Sequence, residues 1–229
     1  MKISVVIPVY NEVTTIEEII TRVHAAPYEK EIIIVDDGST DGTRQILENP
    51  SMDKDIPFKV FYHERNRGKG VALNTGFHAV TGDIIIIQDA DLELDPMDYP
   101  KLLGPIFDGR AEVVYGSRFL ERPRQTLFSW HYMGNRFLTL LSNALMNLRL
   151  SDMETGYKVF TRKVLHDLRI KSKRFGFEPE FTAKVAKKRF RISEVPIHYN
   201  ARTHKEGKKI TWRDGIIAVF AIIWFRIFD

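Results

Sequence analysis

Short runs of apolar, β-branched residues alternate with amphipathic stretches along the first hundred residues. The clearest run is Ile84–Ile87, four consecutive isoleucines, which predicts a strand buried on both faces, as in the middle of a parallel sheet. Similar runs predict strands at Lys2–Pro8, Ile32–Val35 and Lys59–His63. Stretches with helical periodicity follow these three strands, at 16–23, 43–47 and 71–80. This alternation predicts an α/β fold with a mostly parallel central sheet flanked by helices.

The pattern is less regular towards the second half of the chain. We expect helices at Met97–Phe107, 135–148, 162–168 and 179–188, strands at Ala111–Tyr115 and Arg191–Tyr199, and basic loops at Phe119–Trp130 and Asn200–Lys209. No repeat, low-complexity tract or proline-rich linker interrupts the chain. The sequence therefore predicts a single domain over residues 1–229.

Two segments of the second half are strongly apolar. The predicted helix at 135–148 has a broad leucine-rich face, which suits either the core or a membrane surface. Ile216–Phe228 is almost continuously apolar, with Arg213 and Arg226 at its flanks. Its 13 residues are fewer than the roughly 20 that a helix needs to cross a bilayer. We therefore expect an interfacial or packed helix there.

Composition excludes some functions and favours others. Cysteine is absent, which excludes a disulfide framework, a cysteine-based zinc site and a thiol nucleophile. The net charge is only +4, but residues 1–100 carry 9 basic against 18 acidic residues, and residues 101–229 carry 25 against 12. This asymmetry favours an acidic, metal-using half and a half that faces an anion. A lipid surface or a phosphorylated acceptor fits better than nucleic acid, because few aromatic residues interleave with the basic ones.

Acidic residues follow the predicted central strand directly. Asp89 and Asp91 come immediately after Ile84–Ile87, and alternate residues of an extended chain point the same way. Open α/β sheets bind ligands at this end of their strands. Two neighbouring carboxylates attract a hard divalent cation, Mg²⁺ or Mn²⁺, which usually also holds substrate phosphates. A solvated acidic turn is the structural alternative.

Two basic positions suit an anion. The loop Asn66–Gly70 opens a predicted helix, so its backbone amides and Lys69 suit a phosphate, although an ordinary strand-to-helix turn better explains the glycines. Arg118 follows the strand Ala111–Tyr115 and is expected to lie across from the acidic loops.

Three motifs occur in a fixed order and together resemble those of an inverting family 2 glycosyltransferase with the GT-A fold. They are Pro8-Val9-Tyr10-Asn11-Glu12, Val35-Asp36-Asp37-Gly38-Ser39-Thr40-Asp41-Gly42 and Gln88-Asp89-Ala90-Asp91. Gly116-Ser117-Arg118, the stretch Asp152–Lys158 and the basic loop ending at Lys209 extend the match. This longer set resembles the dolichol-phosphate mannose synthase group and its bacterial polyprenyl-phosphate glycosyltransferase relatives.

The resemblance implies a role for each matching position. Nucleotide-sugar binding falls to Pro8, Tyr10, Glu12, Asp36, Asp37, Ala90 and the late-loop residues Arg202 and Lys208. Asp89 and Asp91 are implied to bind the metal and the diphosphate, with Glu93 as a further ligand where mannose synthases often have Gln. Arg118 is implied to contact the acceptor phosphate and Arg136 is a weaker candidate, so Asp89, Asp91 and Arg118 are the expected catalytic residues. Glu178 stands near a position that is Lys in some mannose synthases.

The activity that the resemblance implies is metal-dependent transfer of a hexose from a GDP- or UDP-linked sugar to a dolichyl or undecaprenyl phosphate. Residues 1–100 are implied to hold the donor and the metal, and residues 101–229 to face the acceptor and the membrane. Many relatives continue into transmembrane helices, whereas this chain is expected to be a peripheral enzyme on the cytoplasmic face of a membrane.

The acceptor chemistry leaves a second activity open. A phosphate is already an anion at neutral pH and needs cations to position it rather than a base. A hydroxyl acceptor needs a carboxylate base, and Asp152 or Glu154 can serve. A catalytically silent membrane-surface or sugar-binding module is the alternative from another class. A dehydrogenase is disfavoured because no Gly-x-Gly-x-x-Gly follows the first strand.

Overall fold

The computed structural model describes residues 1–51, 56–120, 130–173, 176–201 and 212–228. One sheet of seven strands runs in the order β3-β2-β1-β4-β6-β5-β7. Its strands are β1 (Ile3–Val9), β2 (Lys30–Asp36), β3 (Phe58–Tyr62), β4 (Ile84–Ile87), β5 (Val113–Ser117), β6 (Lys158–Thr161) and β7 (Ile192–Pro196). The helices are α1 (Ile16–Ala25), α2 (Thr43–Glu48), α3 (Lys69–Ala79), α4 (Tyr99–Phe107), α5 (Trp130–Met146), α6 (Arg162–Asp167), α7 (Phe177–Lys187) and α8 (Trp212–Ile227). The predicted α/β class with a mostly parallel, helix-flanked sheet is confirmed.

The apolar runs form the centre of this sheet. β1 pairs in parallel with β2 on one side and with β4 on the other, so that Val6 lies opposite both Ile33 and Ile87. Alternate side chains enter different cores: Ile84 and Ile86 pack in the core on one face of the sheet, and Ile85 and Ile87 pack in the other. Full burial of one such side chain contributes about 2 kcal/mol. This is why β4 is apolar at every position.

Strand β6 was not predicted and is the one that shapes the site. It runs antiparallel to both neighbours, with Val159 opposite Ile86 of β4 and Val114 of β5. The sequence pattern does not indicate a core strand, because this four-residue element begins with Lys158 and ends with Thr161. Since β6 is reversed, the turn at 152–157 that precedes it lies at the carboxyl end of β4.

Helices α5 and α8 pack against each other and each has a buried and an exposed face. α5 begins at Trp130, five residues earlier than predicted. The predicted basic loop Phe119–Trp130 lies largely outside the described residues. Leu138 of α5 and Ile222 of α8 point into the core. Along the described ranges, no helix combines the length and the apolar character needed to cross a bilayer.

Candidate functional site

The three sequence motifs meet at the carboxyl edge of the central strands. The backbone amide of Asp37 donates to the carbonyl of Val9 (2.8 Å), and the amide of Gln88 donates to the carbonyl of Val6 (3.0 Å). The loops after β1, β2 and β4 therefore leave the sheet side by side. This is the edge at which open α/β sheets bind ligands.

Backbone and side-chain hydrogen bonds join the first two motifs. The amide of Asn11 donates to Ser39 Oγ (2.9 Å), and the amide of Glu12 donates to Thr43 Oγ1 (2.9 Å). Glu12 Oε2 also accepts a hydrogen bond from Thr15 (3.1 Å). Pro8 and Tyr10 are both partly buried beside these contacts. The nucleotide-binding roles of Pro8, Tyr10 and Glu12 stay predictions.

Asp36 organises the loop after β2. Its carboxylate is fully buried, accepts a hydrogen bond from the Ser39 amide (3.1 Å) and pairs with Arg44 (2.8 Å). Because the Asp36 carboxylate is engaged in these contacts, it positions its own loop. Its predicted role in nucleotide binding would then be to hold that loop in place.

Asp37 organises the loop before α3. Its carboxylate accepts hydrogen bonds from the amides of Arg67 (3.0 Å) and Gly68 (2.7 Å) and contacts His63 Nδ1 (2.6 Å). His63 in turn reaches Thr75 of α3 through Nε2 (2.9 Å). Asp37 therefore sets the start of α3, and its predicted contact with the nucleotide stays a prediction.

Lys69, the first residue of α3, connects the loop after β4 (residues 88–95, the acidic loop) to the second half of the chain. Its Nζ lies 2.9 Å from Asp89 Oδ1 and 3.1 Å from Glu178 Oε1, at the start of α7. Burial alone would lower the pKa of Lys69, but the two carboxylates outweigh it and the net pKa is raised. On the other side of Asp89, a Cβ atom at Gly156 would overlap Oδ2, so the turn before β6 supports this carboxylate directly. Ala90 is buried beneath the loop.

Asp91 and Glu93 are held within the same loop. Asp91 Oδ1 accepts a hydrogen bond from the Glu93 amide (3.1 Å), and Glu93 Oε2 accepts one from the Tyr199 hydroxyl (3.0 Å). Among the described residues, no three Asp, Glu or His side chains form a cluster that could hold a metal ion by themselves. A pair of carboxylates still fits Mg²⁺ or Mn²⁺, because such ions are commonly held by one or two carboxylates together with substrate phosphates. The attraction of Lys69 to Asp89 shows that this carboxylate already favours a cation.

Arg118 forms the basic side of the site. Its Nε lies 2.7 Å from Asp152 Oδ2 and its Nη2 lies 2.7 Å from Asp152 Oδ1, while Asn135 donates to Asp152 Oδ1 (3.1 Å). The guanidinium carbon lies 5.4 Å from the ring centre of Phe119 and 5.3 Å from that of Tyr199. Burial raises the pKa of Asp152, but Arg118 outweighs it and the net pKa is lowered. Asp152 is thus committed to orienting Arg118, and it is a poor candidate for a general base.

Tyr199 links the basic side to the acidic loop. Its hydroxyl donates to Glu93 and its ring lies against Arg118. Leu94 forms an isolated β-bridge with Tyr199, and the Asn200 amide donates to the Glu93 carbonyl (2.9 Å). Burial, followed by the Glu93 charge, raises the pKa of Tyr199 to about 12, so it is a neutral donor at physiological pH.

Lys158, Glu154 and Glu178 form a second group of charged residues with buried atoms. Lys158 is fully buried and donates to the carbonyls of Met153 (3.2 Å) and Thr155 (2.5 Å). Burial, followed by the neighbouring charge of Glu178, raises the pKa of Glu154 to about 8. In the part of the chain that the structure describes, Glu154 Oε1 and Glu178 Oε2 are buried without a hydrogen-bond partner.

The structure brings residues to the site that the sequence analysis did not predict. Tyr199, Gly156, His63 and the Lys69–Glu178 contact were not predicted, since each depends on residues that are distant in the sequence. Glu178 was noted only through the resemblance, and Lys69 only as a possible phosphate contact. The predicted donor-binding residues Arg202 and Lys208 lie outside the described residues, and Arg136 is exposed on α5.

Comparison with known proteins identifies a matching family and several relatives. The family model described as "Glycosyl transferase family 2" matches residues 4–169. Undecaprenyl-phosphate 4-deoxy-4-formamido-L-arabinose transferase of Pseudomonas fluorescens is 29% identical over 212 residues, covering 90% of this chain and 59% of that protein. The protein with the same name from Salmonella paratyphi A is 29% identical over 211 residues, covering 90% and 62%. The chain thus spans about 60% of the length of these curated relatives.

The fold is shared with solved structures. A crystal structure of glucosyl-3-phosphoglycerate synthase from Mycobacterium tuberculosis, in complex with Mn²⁺, UDP and phosphoglyceric acid, matches with a TM-score of 0.76. The two sequences are 21% identical, and the match covers 100% of this chain and 79% of that one. The architecture is therefore the predicted GT-A fold.

Proposed function

Because the chain belongs to glycosyl transferase family 2, we propose that it transfers a glycosyl group from a GDP- or UDP-linked sugar to a polyprenyl phosphate. The named activity of the curated relatives supports this acceptor, since they are undecaprenyl-phosphate transferases. The donor sugar is a hexose or a related amino sugar. The reaction takes place at a membrane surface, with residues 1–100 holding the donor and residues 101–229 the acceptor.

The observation that carries this proposal is the position of Tyr199 between the acidic loop and Arg118. Its hydroxyl contacts Glu93 and its ring contacts the guanidinium, so the donor side and the acceptor side are one side chain apart. A donor diphosphate bound near Asp89 and Asp91 would then lie next to an anion bound by Arg118. This neighbourhood suits a reaction between a nucleotide sugar and a phosphate.

The chemistry follows from the charges of these residues. Asp89 and Asp91 would hold Mg²⁺ or Mn²⁺, and the ion, when bound, neutralises the departing diphosphate. Arg118 keeps one edge of its guanidinium on Asp152 and presents its remaining N–H donors to the acceptor phosphate. A phosphate oxygen then attacks the anomeric carbon as the bond from that carbon to the diphosphate oxygen breaks. No proton has to move, so Arg118 acts by position and charge.

Two exposed apolar faces support a membrane-surface acceptor. On α5 these are Met133, Phe137 and Leu140, and on α8 they are Ile216, Ile217, Phe220, Ile223, Trp224 and Ile227. The two helices pack against each other, so these exposed faces lie on neighbouring helices. Apolar helix faces flanked by basic residues bind lipid interfaces. We propose that this surface brings the enzyme to its lipid substrate, on the cytoplasmic face of the membrane.

A hydroxyl acceptor is the second candidate, and the state of Glu154 favours it. Burial raises the pKa of Glu154 to about 8, so its ionised form, which predominates above that pH, is a stronger base than an ordinary carboxylate. Asp152 does not compete for this role because it is paired with Arg118.

A transfer assay separates these candidates. Purified protein is incubated with MgCl₂ or MnCl₂, a short polyprenyl phosphate and one radiolabelled donor at a time, namely GDP-mannose, UDP-glucose, UDP-N-acetylglucosamine or a UDP-4-amino-pentose. We expect label to move into the organic phase with one donor, and to stay in the aqueous phase with Asp91→Asn. Transfer to a soluble glycan but not to lipid phosphate would support the hydroxyl acceptor. Absence of transfer and of donor hydrolysis with every donor would contradict both activities.

A further inference from the structure

Lys69 is a fixed cation that touches a predicted metal ligand. The residue before it, Gly68, donates its amide to the buried Asp37, and the residue after it, Gly70, packs so closely on the Ser172 carbonyl that a Cβ atom would overlap it. The backbone of Lys69 is therefore held from both sides. Its ammonium group lies within 3.1 Å of Asp89 and Glu178, so the side chain bridges two carboxylates of different character.

The two carboxylates differ in exposure and in their other contacts. The side chain of Asp89 is 24% exposed, at the open edge of the sheet, whereas that of Glu178 is 7% exposed. In the described structure, Glu178 Oε2 is buried and has no hydrogen-bond partner. The carboxylate that already contacts Lys69 through Oε1 therefore has an oxygen left to accept a further hydrogen bond. Asp89, in contrast, is reachable from solvent.

Two cations cannot share Asp89 without repelling each other. A divalent ion on Asp89 would lie a few ångströms from the Lys69 ammonium, and like charges at that distance in a partly buried site repel strongly. We propose that Lys69 and the divalent cation compete for Asp89, and that Glu178 sets the outcome by holding the lysine when the cation binds. Lys69 and Glu178 are thus positioning residues that tune the affinity of the metal site. This inference rests on the proposed function in one respect, the assignment of Asp89 and Asp91 to the metal.

The proposal makes two substitutions act in opposite directions. Lys69→Met removes the competing charge and keeps a long side chain, so Mn²⁺ should bind more tightly, on the order of tenfold. Glu178→Gln removes the negative charge that draws Lys69 away from Asp89, so the lysine should hold Asp89 more strongly and Mn²⁺ should bind several-fold more weakly. The double variant should bind Mn²⁺ like Lys69→Met, because Glu178 acts only through the lysine.

The test is a titration of the full chain with MnCl₂, in which free Mn²⁺ is measured by electron paramagnetic resonance. Lys163→Met is the matched control, since Lys163 pairs with Glu112 (2.9 Å) at the edge of the sheet opposite the acidic loop, and its Kd should equal that of wild type. A Kd that Lys69→Met leaves unchanged or raises would overturn the proposal. So would a Glu178→Gln effect that persists in the Lys69→Met background, because Glu178 would then act as a simple charge.

Asp91→Asn distinguishes this proposal from the proposed function. If Asp91→Asn raises the Kd for Mn²⁺ but Lys69→Met does not lower it, only the competition is wrong. If Asp91→Asn leaves the Kd unchanged, the assignment of Asp89 and Asp91 to the metal is wrong. The proposed competition between Lys69 and the cation is then wrong as well. Should Lys69→Met not fold, Lys69→Arg provides the same test, because a guanidinium binds carboxylates more firmly and should raise the Kd.

Discussion

The guanidinium of Arg118 and the carboxylate of Asp152 form a two-bond ion pair, with both N–O distances at 2.7 Å. The Asp152 side chain is fully buried and that of Arg118 is 17% exposed. Each charged group is therefore stabilised in the protein by the opposite charge of its partner. Removing one partner of such a pair leaves an uncompensated charge in the protein.

Asp152→Asn should therefore destabilise the fold by about 3 kcal/mol, the lower end of the cost of breaking a buried ion pair. Urea denaturation followed by circular dichroism measures this change. Asp108→Asn is the control, because Asp108 pairs with Arg110 on the surface and such pairs contribute little. Equal stabilities of the two variants would contradict the importance of the buried pair.

Arg118→Lys should weaken use of the acceptor more than use of the donor. A lysine keeps the positive charge but cannot bond to Asp152 and a phosphate with one planar group. In the transfer assay, we expect KM for the polyprenyl phosphate to rise on the order of tenfold, the effect of losing about 1.4 kcal/mol of binding. KM for the nucleotide sugar should change less than twofold. A larger rise for the donor than for the acceptor would show that Arg118 belongs to the donor site.

Gly156→Ala should impair metal binding without unfolding the protein. The added Cβ atom would overlap Asp89 Oδ2, and the φ of Gly156 is not positive, so alanine has no backbone strain of its own there. The Asp89 carboxylate must therefore move. We expect weaker Mn²⁺ binding and lower transfer, with a far-ultraviolet spectrum like that of wild type.

The control for that substitution is Gly134→Ala in α5, where a Cβ atom would meet nothing within 4 Å. Alanine in a helix is also favoured over glycine. Gly134→Ala should keep the wild-type Kd for Mn²⁺. Unchanged Mn²⁺ binding in Gly156→Ala would mean that Asp89 is not held by the turn before β6.

Glu154→Gln should change how stability depends on pH. Burial raises the pKa of Glu154 to about 8 from its ordinary 4.5, so the folded state favours the protonated form. For a group whose pKa is raised on folding, the contribution to stability is fully present below the ordinary pKa and is lost as the pH rises through the folded value. Between pH 5 and 8, the free energy of unfolding of wild type should fall relative to Glu154→Gln, by at most about 1.4 kcal/mol per pH unit. Parallel pH profiles for the two proteins would show that Glu154 is not protonated in the folded state.

The centre of the fold is readable from the sequence, and the reason is local. In β1, β2 and β4, the residues that face each core alternate within one apolar run, so the run itself predicts a strand buried on both faces. The acidic positions Asp89 and Asp91 are equally readable, because a strand end predicts which edge of the sheet they occupy. These inferences need only neighbours in the sequence.

The missed features all depend on distant residues. Lys158 reads as a surface residue, yet it is fully buried because two backbone carbonyls and the Tyr115 ring surround its ammonium group. No pattern near Glu178 indicates that it lies 3.1 Å from Lys69, and nothing near Tyr199 indicates Glu93. Such contacts follow from the order of strands in the sheet, which the spacing of apolar residues does not specify.

Because β6 runs antiparallel to its neighbours, it begins at the edge of the sheet that carries the site and ends at the opposite edge. At the edge away from the site, Arg162 donates its amide to the Asp83 carbonyl (2.7 Å), and the Glu112 amide donates to the Arg191 carbonyl (2.8 Å). Arg110 is exposed there, one strand length, roughly 17 Å, from the acidic loop. A fluorescent label or an immobilising tether attached at Arg110 would leave the edge that carries the candidate site unobstructed. The fold thus sets an attachment point for single-molecule measurements of ligand binding at the opposite edge.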